Sequence, residues 1–252
     1  MSETIRSEPR NPGPPDRSYP VRVRAVLDTP LSRGLWLVKW LLLVPHVLVL
    51  IVLWAAFWVL GVVAFFAILF TARYPRKIFD FNVGVLRWSW RVAYYGYGVL
   101  GTDRYPPFSL REEPDYPATL SVEYPERLSR GLVLVKWWLL AIPHYLVLAI
   151  LIGGGTGAAW GLGDRSWAWG GSLVGLLVLI AAITLTFTGR YPRPLFDFIV
   201  GIQRWGLRVA VYTALMTDRY PPFRLDGGGE EPGGPTPAEP TETPVPASPA
   251  GP

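Results

Sequence analysis

Two groups of charged residues interrupt apolar segments of this chain, and the second group repeats the first. After their RYPR motif, the segments FTARYPRKIFDFNVGVLRWSWRV (70–92) and FTGRYPRPLFDFIVGIQRWGLRV (187–209) each carry one aspartate and two arginines at matching positions. At about 100° per residue these side chains fall on one helical face. We term this face the polar stripe, and its members are Asp80, Arg87, Arg91, Asp197, Arg204 and Arg208.

Three roles suit the polar stripe. It could bind anionic lipid headgroups or protein partners, it could line a charged path between the two repeats as in transporters, or its arginines could simply anchor the topology by reaching the interface. Asp80 and Arg87 are too far apart along one helix for a routine ion pair. Any partner of these side chains is therefore expected from another segment.

The cost of burying arginine decides between two placements of these helices. Residues 78–100 and 195–216 are long enough to span a bilayer. An arginine near mid-bilayer costs about 2.5–3.5 kcal/mol, whereas a large apolar residue contributes about 0.3–0.6 kcal/mol. The comparison favours an amphipathic helix in the inner interface with its arginines toward lipid phosphates, and spanning is the alternative.

The two histidines, His46 and His144, are candidate paired polar positions, because they occupy matching places in LLLVPH and LLAIPH. Neutral imidazoles could transfer protons or bind a metal. Alternatively, Pro-His marks a local break in an apolar helix, and the imidazole satisfies a freed carbonyl. Because no HExxH motif or helical His pair accompanies them, the structural interpretation is favoured and no metal is predicted.

No motif indicates an enzyme. The chain lacks GxSxG, a P-loop and a GxGxxG motif after a strand, and it has no cysteine, which excludes disulfides and thiolate chemistry. The stretch GGGTG (153–157) lacks the GK[ST] ending of a phosphate-binding loop and is interpreted as a flexible loop. The expectation is a non-enzymatic protein without a cofactor.

Composition points to a membrane. Half of the residues are hydrophobic (50%), and the net charge of +5 arises from basic residues beside apolar runs. That arrangement suits an anionic membrane surface better than nucleic acid. Residues 1–17 and the Pro/Gly/Glu-rich residues 226–252 are predicted to be disordered tails, and both termini are expected in the cytoplasm because no signal peptide opens the chain.

A duplicated unit accounts for the rest of the chain, with repeat 1 at 18–113 and repeat 2 at 114–225. Alternating residues at 21–27 and 118–124 predict half-buried strands, and PPFSL and PPFRL are interpreted as their partners. Open strands cannot lie in lipid, so all four should share one aqueous side, where they could form one small sheet. Each repeat would then cross the membrane an even number of times.

Repeat 2 carries two apolar segments, 132–152 and 172–188, separated by a Gly-rich loop with three tryptophans. Basic flanks predict a transmembrane hairpin with that loop outside. Repeat 1 has one uninterrupted run, 34–71, which is either a hairpin turning near Trp54–Trp58 or one long tilted helix. The hairpin is favoured because it crosses the membrane an even number of times and because it agrees with the flanking charges and the interfacial tryptophans.

The motifs YP-strand, LSRG, LL-x-x-PH, RYPR–FDF, RW-x-x-R and DRYPPF, over about residues 18–225, resemble the bacterial membrane protein family known as domain of unknown function 4389. Repeat 1 departs slightly, with Ala72 where repeat 2 has Gly189. The resemblance implies a multi-pass membrane protein, often with this unit duplicated. It implies no activity.

The sequence thus predicts a mainly α integral membrane protein with two tandem repeats. Each has a transmembrane helical hairpin, an amphipathic interfacial helix and short cytoplasmic β-strands. The expected location is the bacterial cytoplasmic membrane, and the expected partners are anionic lipids, other proteins or further copies of the chain. The leading hypothesis is a membrane scaffold or accessory protein; the alternative is a small transporter or channel with its path between the repeats.

Overall fold

A computed structural model of the chain describes residues 19–152, 172–223 and 225. The predicted tails and the Gly-rich loop of repeat 2 lie outside these residues, so the hairpin of repeat 2 stays a prediction. The elements in chain order are β1 (Val21–Ala25), α1 (Trp36–Thr71), α2 (Arg76–Tyr95), β2 (Ala118–Val122), α3 (Arg130–Val135), a π-helical turn (Lys136–Leu140), α4 (Ile142–Ile152), α5 (Leu173–Thr188) and α6 (Arg193–Thr213).

The apolar run of repeat 1 is a single helix, so the favoured hairpin is wrong for this repeat. α1 has 36 residues and is about 54 Å long at 1.5 Å per residue. The predicted turn at Trp54–Trp58 is helical, and the Trp54 indole donates to Ser89 Oγ on α2 at 3.1 Å. The run contains no Gly-rich segment to form a loop, and its one internal proline, Pro45, is accommodated without ending the helix.

Repeat 2 follows the same course in several pieces. α3, the π-helical turn and α4 correspond to the first part of α1, and α5 corresponds to its last part. α4 packs on the second half of α6, where a Cβ on Gly206 would lie 3.5 Å from the Ile152 side chain. Two of the described segments, Trp36–Thr71 and Arg130–Ile152, are long and apolar enough to cross a membrane.

Within residues 19–152, 172–223 and 225, the sheet has two strands where four were expected. β1 and β2 pair antiparallel, and the alternation of buried and exposed residues follows the predicted period of two. The PPFSL segment and the described part of PPFRL form no strand. Paired prolines lack the N–H donors that a ladder needs, and these segments instead pack their aromatic rings on the apolar helices.

The strands are exchanged between the repeats. β2 belongs to repeat 2 but packs on α2 of repeat 1, whereas β1 of repeat 1 packs on α6 of repeat 2. The tyrosines before the strands repeat this exchange, because Tyr19 donates to the Arg219 carbonyl at 3.2 Å and Tyr116 to the Arg104 carbonyl at 3.1 Å. Each repeat therefore completes the other.

The exchange of strands between the repeats predicts that neither repeat folds alone. We expect residues 1–113 and 114–252, expressed as separate chains in one cell, to co-purify, because the sheet and its helix contacts form only between them. Pull-down through a tag on one half, followed by circular dichroism, measures this. A tagged half that is folded and free of the other half would contradict the exchange.

The turn after the long helix differs between the repeats at one residue. Ala72 has φ 57° and Gly189 has φ 70°, both left-handed, a conformation that costs a non-glycine residue about 1–2 kcal/mol. We expect Ala72→Gly to raise the free energy of unfolding by about 0.5–1 kcal/mol after allowing for the greater freedom of glycine in the unfolded chain. Denaturant titration in detergent checks this.

The matched variant is Gly189→Ala, which we expect to destabilise the protein. Its Cβ would also lie 2.8 Å from the Arg33 guanidinium, which must move. If both variants lowered the unfolding free energy equally, backbone strain at Ala72 would not be the cause.

Candidate functional site

The first arginine of each polar stripe binds the centre of the two-stranded sheet. Arg87 Nε donates to the Leu120 carbonyl at 2.8 Å, and Arg204 Nε donates to the Val23 carbonyl at 3.1 Å. Val23 and Leu120 are register partners and are also matching positions of the two repeats. Each arginine thus reaches across to the strand of the other repeat, and the two contacts meet at one residue pair.

The second arginine of each stripe is buried beside the segment that leads into a strand. Arg91 is 2% exposed; its guanidinium donates to the Ser109 carbonyl, and Glu113 lies 4.0 Å away. Burial lowers the pKa of Arg91, and Glu113 opposes that shift. Arg208, also buried, lies over the Tyr19 ring at 5.7 Å. Burial raises the pKa of Tyr19.

The stripe therefore faces the protein interior over most of its length. The expected orientation toward lipid headgroups is wrong for Arg91, Arg204 and Arg208, because all three are buried against the strands and their connections. Asp80 is exposed and pairs with Arg76 at 3.4 Å, one turn earlier in the same helix. Arg87 and Asp197 are partly exposed.

A small cavity lies beside β2, between the stripe of repeat 1 and the segment before the strand. Its charged lining is Arg87, Arg91, Arg111, Glu112 and Glu113. Arg87 lies 3.4 Å from Glu112. The glutamates compete with any incoming anion for these arginines, so the cavity is a poor phosphate site.

Two buried lysines form a second pair of matching contacts. Lys39 Nζ donates to the Thr102 carbonyl at 2.7 Å and lies 3.1 Å from Asp103. Lys136 Nζ donates to the Thr217 carbonyl at 3.0 Å and lies 2.8 Å from Asp218. We term each set a Lys–Asp clamp.

The aspartate of each clamp also fixes the start of the apolar segment. Asp103 accepts from the Ser32 amide at 2.5 Å, and Asp218 accepts from the Ser129 amide at 2.6 Å. The lysine rests near an aromatic face, with Lys39 Nζ 4.5 Å from the Tyr95 ring centroid. Each clamp thus joins the beginning of an apolar helix to the segment after its amphipathic partner.

Sequence reasoning did not pair these residues. By type and position alone, Lys39 and Lys136 belong to the basic residues near the start of the apolar segments, which predict topology and no contact. The signal was present, because VKW and TDRYPPF are both duplicated, and a lysine inside an apolar run needs a carboxylate partner when it is buried. Asp103 and Asp218 are the acidic residues of the second duplicated motif.

His46 lies in an aromatic cage. Its ring stacks on Phe108 with centroids 4.0 Å apart, and Tyr105 lies at 4.8 Å. The Trp88 indole donates to His46 Nδ1 at 3.1 Å. Tyr105 also donates to the Leu42 carbonyl at 3.0 Å, in the turn that precedes Pro45.

His144 occupies the matching cage in repeat 2. It stacks on Phe223 at 4.1 Å, with Tyr220 at 4.8 Å and Trp205 at 5.5 Å. Tyr220 donates to the Leu140 carbonyl at 3.3 Å.

The cages support a structural interpretation of the histidines but correct one detail. In repeat 1 the helix continues through the Pro-His pair, and a tyrosine hydroxyl rather than the imidazole of His46 donates to a carbonyl there. Within the part of the chain that the structure describes, His, Asp and Glu side chains form no group of three that could hold a metal.

Fold and site together define a mainly helical protein built from two strand-exchanged repeats, with long apolar helices, a Lys–Asp clamp within each repeat, and arginines that contact the strand segment of the other repeat. The chain belongs to the family described as Domain of unknown function (DUF4389), which it matches over residues 33–109 and 167–224. The two matched segments confirm the duplication. No curated protein and no solved structure matches the chain.

The Lys–Asp clamp of repeat 2 predicts a large stability effect. We expect Asp218→Ala to lower the free energy of unfolding by about 3–5 kcal/mol, because it leaves Lys136 buried without its carboxylate. Lys136→Met combined with Asp218→Ala should recover much of that loss, since no buried charge remains. Denaturant titration in detergent gives both values.

Asp80→Ala is the matched control, because Asp80 forms an exposed pair worth at most about 1 kcal/mol. Equal losses for Asp80→Ala and Asp218→Ala would show that the clamp does not stabilise the fold.

Proposed function

We propose that this protein is a non-enzymatic scaffold or accessory protein of the bacterial cytoplasmic membrane that contacts anionic lipid through exposed basic residues. The observation that carries the proposal is the apolar surface of α1. Only 11% of its most apolar stretch is buried, and Leu48, Val52 and Trp58 are each more than 60% exposed. An exposed apolar surface of this size on a folded chain indicates a lipid or protein neighbour.

Further apolar surface lies on the matching segments of repeat 2. Ile150 on α4 is 72% exposed, and Phe187 on α5 is 81% exposed. Both repeats thus present apolar helices outward, which supports a membrane rather than a single protein partner as the main neighbour.

Exposed cations at the ends of the apolar helices support the lipid contact. Arg33 precedes α1, and Arg73 and Lys77 follow it; all three are exposed. Arg130 and Arg190 flank the matching segments of repeat 2 and are also exposed. Basic residues at a membrane surface gain about 1 kcal/mol each from anionic lipid.

The transporter alternative receives less support. Its charged path would be lined by the stripe arginines, but Arg204 and Arg208 are buried and bind strand or ring partners of the fold. Three of the four stripe arginines, Arg87, Arg204 and Arg208, contact the strand segment of the other repeat. The engagement of Asp103 and Asp218 in the clamps supports a non-enzymatic protein.

Contact with anionic lipid predicts that the protein prefers phosphatidylglycerol over phosphatidylethanolamine as its neighbour. Tryptophan fluorescence can measure this preference, because Trp40 and Trp58 on α1 are exposed. The full chain is reconstituted into phosphatidylethanolamine vesicles containing phosphatidylglycerol, with either lipid brominated. We expect brominated phosphatidylglycerol to quench more strongly per lipid. Arg73→Gln with Lys77→Gln should reduce that difference, since each charge contributes about 1 kcal/mol.

Arg22→Gln with Arg24→Gln is the matched control. Both arginines lie on the exposed face of β1, opposite the face that packs on the helices, so their loss should leave the preference unchanged. Equal quenching by both lipids in the unchanged protein would refute the anionic contact. Solute uptake by the same vesicles that Arg87→Lys abolished would favour the transporter instead.

A further inference from the structure

We propose that α1 lies within the cytoplasmic leaflet, parallel to the membrane surface, and does not cross the bilayer. The inference rests on the proposed membrane location and adds the orientation. Length and composition alone would allow α1 to span. The contacts at its two ends and the position of the sheet decide otherwise.

The beginning of α1 is fixed near one end of the sheet. Lys39 binds the Thr102 carbonyl, and the Asp28 amide donates to the Gly101 carbonyl at 3.0 Å. Asp28 follows β1 by three residues, since that strand ends at Ala25. This end of α1 is thus tied to the place where β1 finishes.

The end of α1 is fixed near the other end of the sheet. The Leu128 amide donates to the Ala72 carbonyl at 2.9 Å, and the Tyr124 hydroxyl donates to the Tyr74 carbonyl at 2.5 Å. Tyr124 follows β2 by two residues, since that strand ends at Val122. Because β1 and β2 are antiparallel, Ala25 and Val122 lie at opposite ends of the sheet.

α1 therefore runs along the sheet rather than away from it, with α2 between them. α2 packs antiparallel on α1, with Leu43 against Gly96 and Trp54 against Ser89. The middle of α2 binds the middle of β2 through Arg87. The axes of α1 and α2 and the strands of the sheet therefore lie along one general direction.

The sheet excludes a spanning orientation. No third strand pairs with the two strands in the described residues; the central carbonyl of each outer edge instead accepts from an arginine, Arg204 on Val23 and Arg87 on Leu120. Such charged groups are costly in hydrocarbon. The outward face of the sheet carries Arg22, Arg24 and Ser121, all exposed. If α1 crossed the bilayer, the sheet beside its middle would lie at mid-depth, where each arginine costs about 2.5–3.5 kcal/mol.

An orientation of α1 parallel to the membrane surface gives both its buried side and its exposed apolar side a suitable neighbour. Its buried side chains form one narrow stripe toward the protein, namely Lys39, His46, Leu50, Phe57, Ala64 and Ile68, and the rest of its surface can face acyl chains. Its flanking cations, Arg33 before and Arg73 after, then lie at one headgroup layer. Basic residues at both ends favour the cytoplasmic side for both.

Spin-label depth along α1 tests the orientation. The natural chain has no cysteine, so single cysteines at Leu48, Val52, Ala55, Val59 and Val62, which are all exposed and share one helical face, report depth without background. Each full-length variant is reconstituted in phosphatidylethanolamine–phosphatidylglycerol vesicles, and depth is measured by oxygen and nickel-chelate collision rates. We expect one common depth.

A spanning helix would give a different profile. From residue 48 to 62 it would change depth by about 21 Å at 1.5 Å per residue, and a hairpin would give a maximum near its turn. Either profile would overturn the proposal. Far-UV circular dichroism confirms that each variant keeps its helix content before labelling.

Sidedness of the two ends gives a second, independent test. Gly34→Cys, where a Cβ meets no atom within 4 Å, and Arg73→Cys are exposed to an impermeant maleimide from each side of sealed vesicles. We expect both to react from the same side, and opposite sides would overturn the proposal. Recovery of the unchanged protein in the soluble fraction without detergent would instead refute the proposed membrane location.

Discussion

The pairing of Val23 with Leu120 is the interaction on which the rest of the structure depends. These matching residues face each other at the centre of the sheet, and each carbonyl accepts from an arginine of the other repeat. A buried arginine is tolerated only where its charge is compensated by hydrogen bonds. The same contacts orient α2 and α6 and, through them, the apolar helices. Strand exchange is therefore the organising feature of the fold.

The Lys–Asp clamps solve a different problem at the start of each apolar segment. Each segment holds a lysine that is buried, and a buried charge needs a compensating partner. Here the aspartates accept from the Ser32 and Ser129 amides while they neutralise a buried lysine. The aromatic cages continue the same contact along the helix, because Tyr105 and Phe108 follow Asp103 within one short segment. The TDRYPPF motif thus contacts the first turns of the apolar helix, first through polar side chains and then through aromatic side chains.

Sequence reasoning recovered the duplication, the helices and the two real strands, because these depend on local period and repetition. It missed what depends on which element meets which. The sequence predicts that the stripe arginines are surface charges. The helical period shows which face of its helix carries Arg204, but it does not show that β1 of the other repeat covers that face. The favoured hairpin of repeat 1 is wrong for a similar reason, because a uniformly apolar run does not reveal where it turns, and the contacts of α1 with α2 keep it one helix.

Each central arginine depends on a strand encoded in the other half of the gene, which has a consequence for stoichiometry. A chain with one copy of this unit would hold an arginine without its carbonyl and a strand without its helix. It could satisfy both by pairing with a second identical chain about a twofold axis that passes midway between the two copies of the residue equivalent to Val23. Duplication converts that pair of chains into one, and it frees each half to diverge wherever it does not contact the other half.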